Sequence, residues 1–115
     1  MLKIVLKFKD RVLKTIRTDK PEITIGRSDA NDIRIDNLGV SKHHARLLRE
    51  KQAYLLEDLA STNGTFVNNQ KITRVELQNN DVITIGKHEM AISYIDAPET
   101  ADRQDFGDKT IRVKT

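Results

Sequence analysis

The sequence contains no cysteine, no tryptophan, only two prolines, and no apolar run longer than four residues. Without cysteine there is no disulfide framework and no thiolate chemistry, which fits a reducing compartment. Without a long apolar run there is no candidate membrane-spanning helix. Residues 1–20 are rich in lysine but lack the continuous apolar stretch and small-residue cleavage site of a signal peptide. These absences point to a soluble, cytoplasmic protein. Aromatic residues make up 4% of the chain, so the stacking platforms on which nucleic acid is read are scarce. Nucleic acid is therefore not the expected partner. No apolar stripe of useful length follows a 3.6-residue period, so helices are not the expected elements.

A period of two is what the chain has instead. Leu2, Ile4, Leu6 and Phe8 alternate with lysines, and Lys9-Asp10-Arg11 reads as the tip of a hairpin returning through Val12 to Arg17. Similar alternation marks residues 23–26, 33–35, 45–49, 53–58, 66–67, 71–72, 82–85 and 89–95, with Pro21 as a break and Asn68-Asn69-Gln70 as a tight turn. About ten short strands, with turn residues every eight to twelve positions, argue for an all-β sandwich. The 115 residues suit one compact domain. Charge is uneven: residues 1–20 carry seven Lys or Arg against two Asp, and residues 96–108 carry five acids against Arg103. The reading is a β domain over residues 1–95 and an acidic, flexible tail or linker over 96–115.

Chemistry concentrates in three turns. Gly26-Arg27 follows a strand that would aim a guanidinium. Ser41-Lys42-His43-His44 follows Asn37-Leu38-Gly39-Val40. Ser61-Thr62-Asn63-Gly64-Thr65-Phe66 opens another short strand. A phosphate group carries nearly two negative charges and three acceptor oxygens. Holding it reversibly takes a planar guanidinium, short hydroxyls and free backbone N–H groups. These turns supply all three kinds. Other chemistries fit poorly. Ser41 and His44 have no nucleophile elbow around them and no carboxylate with a claim as third member, so hydrolysis is not expected. His43, His44 and His88 make a poor zinc set. Asp29-Ala30-Asn31-Asp32 opens like a calcium loop, but Arg34 and Val40 stand where Gly and Glu are needed. Gly86-Lys87 lacks the glycine-rich run of a P-loop. No metal or cofactor is expected. Asn63-Gly64, taken alone, would also suit a hairpin turn.

In order and spacing, Ile25-Gly26-Arg27, Ser41-x-x-His44 and Ser61-Thr62-Asn63-Gly64-Thr65 resemble the forkhead-associated (FHA) domain family. Leu77-Gln78-Asn79-Asn80-Asp81-Val82-Ile83-Thr84-Ile85-Gly86 is similar to a later part of the same pattern. The resemblance covers residues 1 to about 95. It implies an eleven-stranded antiparallel or mixed β-sandwich that binds phosphothreonine peptides and has no catalytic residues.

The resemblance also implies roles. Arg27 pairs with the phosphate and Ser41 hydrogen-bonds one of its oxygens. Lys42 adds a phosphate or peptide contact, Thr62 lines the phosphothreonine pocket, and Asn63 grips the peptide main chain. Gly26, His44, Gly64 and Asn68 brace the loops. Gly39 brings no side chain where some members place a selecting arginine, so an apolar residue rather than Asp is expected third after the phosphothreonine. The implied partners are a phosphothreonine-containing protein and, upstream, a Ser/Thr protein kinase. Thr110, with Val113 three positions on, is itself a candidate phosphosite through which the chain could bind its own tail or associate with another copy. The alternative is a structural or assembly domain that pairs through the sandwich surface without phosphate.

Overall fold

The computed structural model describes residues 1–95. The acidic tail or linker 96–115, with the candidate phosphosite Thr110, lies outside the described residues. Among the described residues there are eleven strands and no helix, and so no helix long and apolar enough to cross a membrane.

Alternation along β1 (Leu2–Phe8) buries Leu2, Ile4 and Leu6 and turns the intervening lysines outward. The chain reverses at Lys9-Asp10, with φ of 50° and 64°, into β2 (Arg11–Thr18). Two left-handed residues in succession match the twist of a tight hairpin. β3 (Glu22–Gly26) leads to the two-residue β4 (Ile33–Arg34), and these two run parallel. β5 (Ala45–Glu50) and β6 (Ala53–Asp58) form a hairpin. β7 (Thr65–Val67) and β8 (Gln70–Ile72) join through Asn68 and Asn69, both at positive φ. β9 (Arg74–Glu76), β10 (Val82–Ile85) and β11 (His88–Tyr94) complete the series.

Six strands form one sheet in the order β2-β1-β11-β10-β7-β8, and five form the other in the order β4-β3-β5-β6-β9. Leu2, Ile4, Ile83, Ile85, Met90 and Ile92 of the first sheet and Ile23, Ile25, Leu47 and Leu56 of the second form one buried apolar core. β6 and β7 belong to different sheets. The Ser61–Thr65 connection therefore crosses the sandwich, and the hairpin expected of Asn63-Gly64 in isolation does not form.

Ten of the strands are visible as alternation in the sequence. β9 is not, because it offers a single apolar residue, Val75, between two exposed charges. It exists by pairing with β6, where Leu56 opposes Val75.

His88 is 8% exposed, lies 4.6 Å from the Phe8 ring centroid, and has a buried Nδ1 with no hydrogen-bond partner among the described residues. Burial pushes its pKa below the ordinary value. The unfolded chain then binds a proton more readily than the folded one. Stability should rise with pH through the window from the depressed value up to the ordinary one near about 6.5, and this contribution should be complete above it. Melting temperature measured against pH should show that slope, and His88→Phe should flatten it.

Candidate functional site

The connections β3–β4, β4–β5 and β6–β7 meet at one rim, and hydrogen bonds sew them together. Arg27 N–H donates to the Ser41 carbonyl at 2.9 Å and Ser28 N–H to the Lys42 carbonyl at 3.2 Å, so the first two loops continue the ladder beyond their strands. Asn31 Nδ2 donates to the carbonyls of Ser28 (2.9 Å) and Lys42 (2.7 Å). Gly26 sits under this seam. A Cβ there would lie 2.2 Å from the Lys42 carbonyl oxygen, and the glycine has no positive φ. It is needed because two backbones touch, not for a left-handed conformation. Asp32, which a calcium-loop reading would aim outward, instead accepts from Thr24 N–H (2.9 Å) and Lys20 Nζ (2.6 Å). The Lys20 hydrogen bond chiefly, then Thr24 N–H, hold its carboxyl below the ordinary carboxylate range.

His44 joins the second loop to the third. It is fully buried; its Nδ1 accepts from Ser41 N–H at 3.0 Å, and its Nε2 lies 2.9 Å from the Gly64 carbonyl. A backbone N–H can only donate, so Nδ1 is unprotonated and Nε2 carries the proton toward Gly64. Gly64 has φ +90°, a conformation that costs a side-chain-bearing residue dearly.

The third loop hangs on a carboxylate that sequence reasoning missed. Asp58 Oδ1 accepts from Ser61 Oγ (2.5 Å) and Thr65 Oγ1 (2.6 Å), and its Oδ2 accepts from Ser61 N–H (3.2 Å). Ser61 Oγ in turn accepts from Gly64 N–H at 3.0 Å. Burial alone would raise the Asp58 pKa, but the hydrogen bonds from Ser61 and Thr65 outweigh it and keep the group below its ordinary value. Asp58→Ala should cost about 2–3 kcal/mol, since bonds to a charged acceptor are each worth about 1.5–3 and these share one group. Denaturant unfolding should register that loss.

The six loop side chains stand as follows. Arg27 is half-buried; its Nε donates to the Val40 carbonyl at 3.1 Å, and neither terminal Nη has a partner among the described residues. Ser41 Oγ accepts from Thr62 N–H at 3.0 Å, which leaves its own proton free to donate. Lys42 is exposed, its N–H and ammonium have no partner among the described residues, and its carbonyl is spent on the seam. Thr62 is exposed. Asn63 Nδ2 donates to the Gly39 carbonyl at 2.9 Å, and its Oδ1 has no partner among the described residues. Gly39 N–H donates to Asn37 Oδ1 at 2.8 Å, which shapes the approach to Ser41. Asn68 lies at the other end of β7, where its Nδ2 donates to Asp81 Oδ1 (2.9 Å) and its Oδ1 accepts from Val82 N–H (3.0 Å), away from the three loops that meet at Ser41.

Arg27 and Lys42 line a cleft of about 350 Å³ with Ser28, Asp29, Arg34 and Asp36. Ser41, Thr62 and Asn63 do not line it; they stand on the loops tied to it through the Arg27–Ser41 and Ser41–Thr62 hydrogen bonds. Arg34 reads in the sequence only as a strand residue and a misfit in a calcium loop, not as a site residue; its Nε donates to the Arg27 carbonyl at 3.1 Å.

One rim of a β-sandwich thus gathers two guanidinium Nη groups, a hydroxyl proton and an amide oxygen that have no partner among the described residues. The FHA domain family model matches residues 23–86, more than half of the chain, and the chain belongs to that family. It is 34% identical over 80 residues to the oxoglutarate dehydrogenase inhibitor of Corynebacterium diphtheriae, covering 70% of this chain and 54% of that protein. It is 32% identical over 84 residues to the glycogen accumulation regulator GarA of Mycolicibacterium smegmatis, covering 73% and 52%. The chain thus spans about half the length of these curated relatives. A solved structure described as an analysis of phosphothreonine-dependent FHA domain interactions superposes with a TM-score of 0.73 at 32% identity, over 83% of this chain and 99% of that one.

Proposed function

We propose that residues 1–95 form a phosphothreonine-peptide-binding adaptor module that docks proteins phosphorylated by a Ser/Thr kinase and does no chemistry on them. The carrying observation is the state of Arg27 and Ser41. The guanidinium is pinned by Nε and offers both Nη groups; the hydroxyl accepts from Thr62 N–H and so must point its proton elsewhere. Two Nη donors, one O–H and the Lys42 N–H match the three acceptor oxygens of a phosphate. Asn63 Oδ1 is left to accept an N–H from the partner's main chain. A solved relative studied for phosphothreonine-dependent interactions supports the same reading.

Hydrolysis is disfavoured by His44. With Nδ1 taken by Ser41 N–H and Nε2 turned to Gly64, it has no nitrogen left to serve as a base for Ser41. Gly39 puts no cationic side chain beside Asn37 and Asn63, so nothing there selects an acidic residue third after the phosphothreonine.

Fluorescence anisotropy with matched phosphothreonine, phosphoserine and unmodified peptides tests this. The phosphothreonine peptide should bind, the unmodified one should not, and phosphoserine should be weaker by roughly 10–200-fold for the lost methyl. Equal binding of the unmodified peptide, surviving Ser41→Ala, would make the chain an assembly domain instead.

A further inference from the structure

The β1–β2 hairpin contains an irregularity that phosphate reading does not use. Leu6 pairs with Lys14, but the next residue, Lys7, pairs with Val12, so Leu13 has no partner across the ladder. This is a β-bulge, a device that re-aims a side chain. On a regular strand successive side chains point to opposite faces. Here Leu13 and Lys14, neighbours in sequence, both line one cleft of about 350 Å³, together with Leu6, Ile35 and His88. Arg34 and Asp36 line it too, and the same pair lines the cleft at Arg27. The two clefts share a wall.

The second cleft is unfilled in two respects. Leu13 leaves 49% of its surface to solvent above the buried Leu6 and Ile35. Lys14 has no acidic partner among the described residues, in a hairpin that is strongly basic.

We propose that this cleft is a second subsite for the same phosphorylated partner, receiving an apolar side chain that has an acidic residue beside it. The proposal rests on the phosphothreonine reading of the Arg27 cleft. The apolar side chain covers Leu6 and Leu13, and its acidic neighbour meets Lys14. Because the clefts share Arg34 and Asp36, an extended chain at about 3.3 Å per residue reaches from one to the other within a few residues. The bulge therefore gives the module a selectivity that the phosphate loops alone do not carry.

Two probes separate the readings: a short phosphothreonine peptide of otherwise alanine residues, and a longer library degenerate around a fixed phosphothreonine. Library selection should enrich an apolar residue next to Asp or Glu at one fixed offset. A peptide of that sequence should bind about tenfold tighter than the short one, since burying one apolar side chain is worth at least that factor. Leu13→Glu should erase this gain and leave the short peptide's affinity unchanged, with the milder Leu13→Ala losing most of it. Val12→Glu, on the opposite face of the same strand and 55% exposed, should change neither. The proposal is overturned if no position outside the core is enriched, or if the Leu13 and Val12 variants behave alike. Failure of the short peptide to bind the unmodified protein would instead overturn the phosphothreonine reading, and this one with it.

Discussion

Arg27→Ala should weaken phosphothreonine-peptide binding by about 30- to 1,000-fold while leaving the fold in place. A hydrogen bond to a charged group is worth about 1.5–3 kcal/mol, and a guanidinium can offer a phosphate two parallel ones. A net loss of about 2–4 kcal/mol follows, at about 1.4 kcal/mol per decade of affinity. The fold should survive because Arg27 contributes little else to it. Its one side-chain hydrogen bond, from Nε to the Val40 carbonyl, is a neutral-acceptor contact on a half-buried loop. Its backbone N–H, which holds the Ser41 carbonyl, is untouched by the substitution. Arg27→Lys separates charge from shape. Lysine keeps the positive charge but not the fork, so its affinity should fall between wild type and alanine. Titration calorimetry paired with thermal unfolding decides the matter. A dissociation constant within threefold of wild type, in a protein with an unchanged melting temperature, would mean that the guanidinium does not carry the phosphate.

Much of the scaffold was legible because burial imposes a period of two. Leu2, Ile4 and Leu6 declare one strand, and Ile83 and Ile85 another, with no reference to the rest of the chain. β9 was silent because a three-residue strand with one apolar position has no period to show. Site residues were legible as types, and a resemblance supplied their roles, but who holds whom was not. Nothing in Ser41-x-x-His44 says that the imidazole reaches Gly64, since that contact joins residues twenty apart across two loops. Asp58 ends an ordinary strand in the sequence and becomes the anchor of the third loop only when Ser61 and Thr65 fold back onto it. Arg34 and Leu13 looked like routine strand residues. Their importance depends on a shared wall, which joins segments distant in sequence, and on a register shift between the adjacent strands β1 and β2 that alternation alone does not show.

Gly26→Ala should be the most damaging single-methyl change in the described part of the chain. The added Cβ would sit 2.2 Å from the Lys42 carbonyl oxygen and 2.8 Å from both the Lys42 carbonyl carbon and Asn31 Nδ2. Asn31 could swing away, but the Lys42 carbonyl is backbone, and three groups fix it. Ser28 N–H and Asn31 Nδ2 both donate to it, and His44 N–H, two residues on, donates to the Ile25 carbonyl. Relief requires the seam between the first two loops to open. Overpacking of this kind costs about 1–3 kcal/mol, which for a domain of this size lowers the melting temperature by about 4–8 °C per kcal/mol. Binding should suffer more than stability does. Opening the seam moves Val40 and Ser41 away from Arg27, so the pinned guanidinium and the hydroxyl lose their common geometry, although neither residue was changed. An affinity loss approaching that of Arg27→Ala, in a protein that still unfolds cooperatively, is the expected signature. Wild-type affinity in Gly26→Ala would show that the rim does not depend on the contact between Gly26 and Lys42.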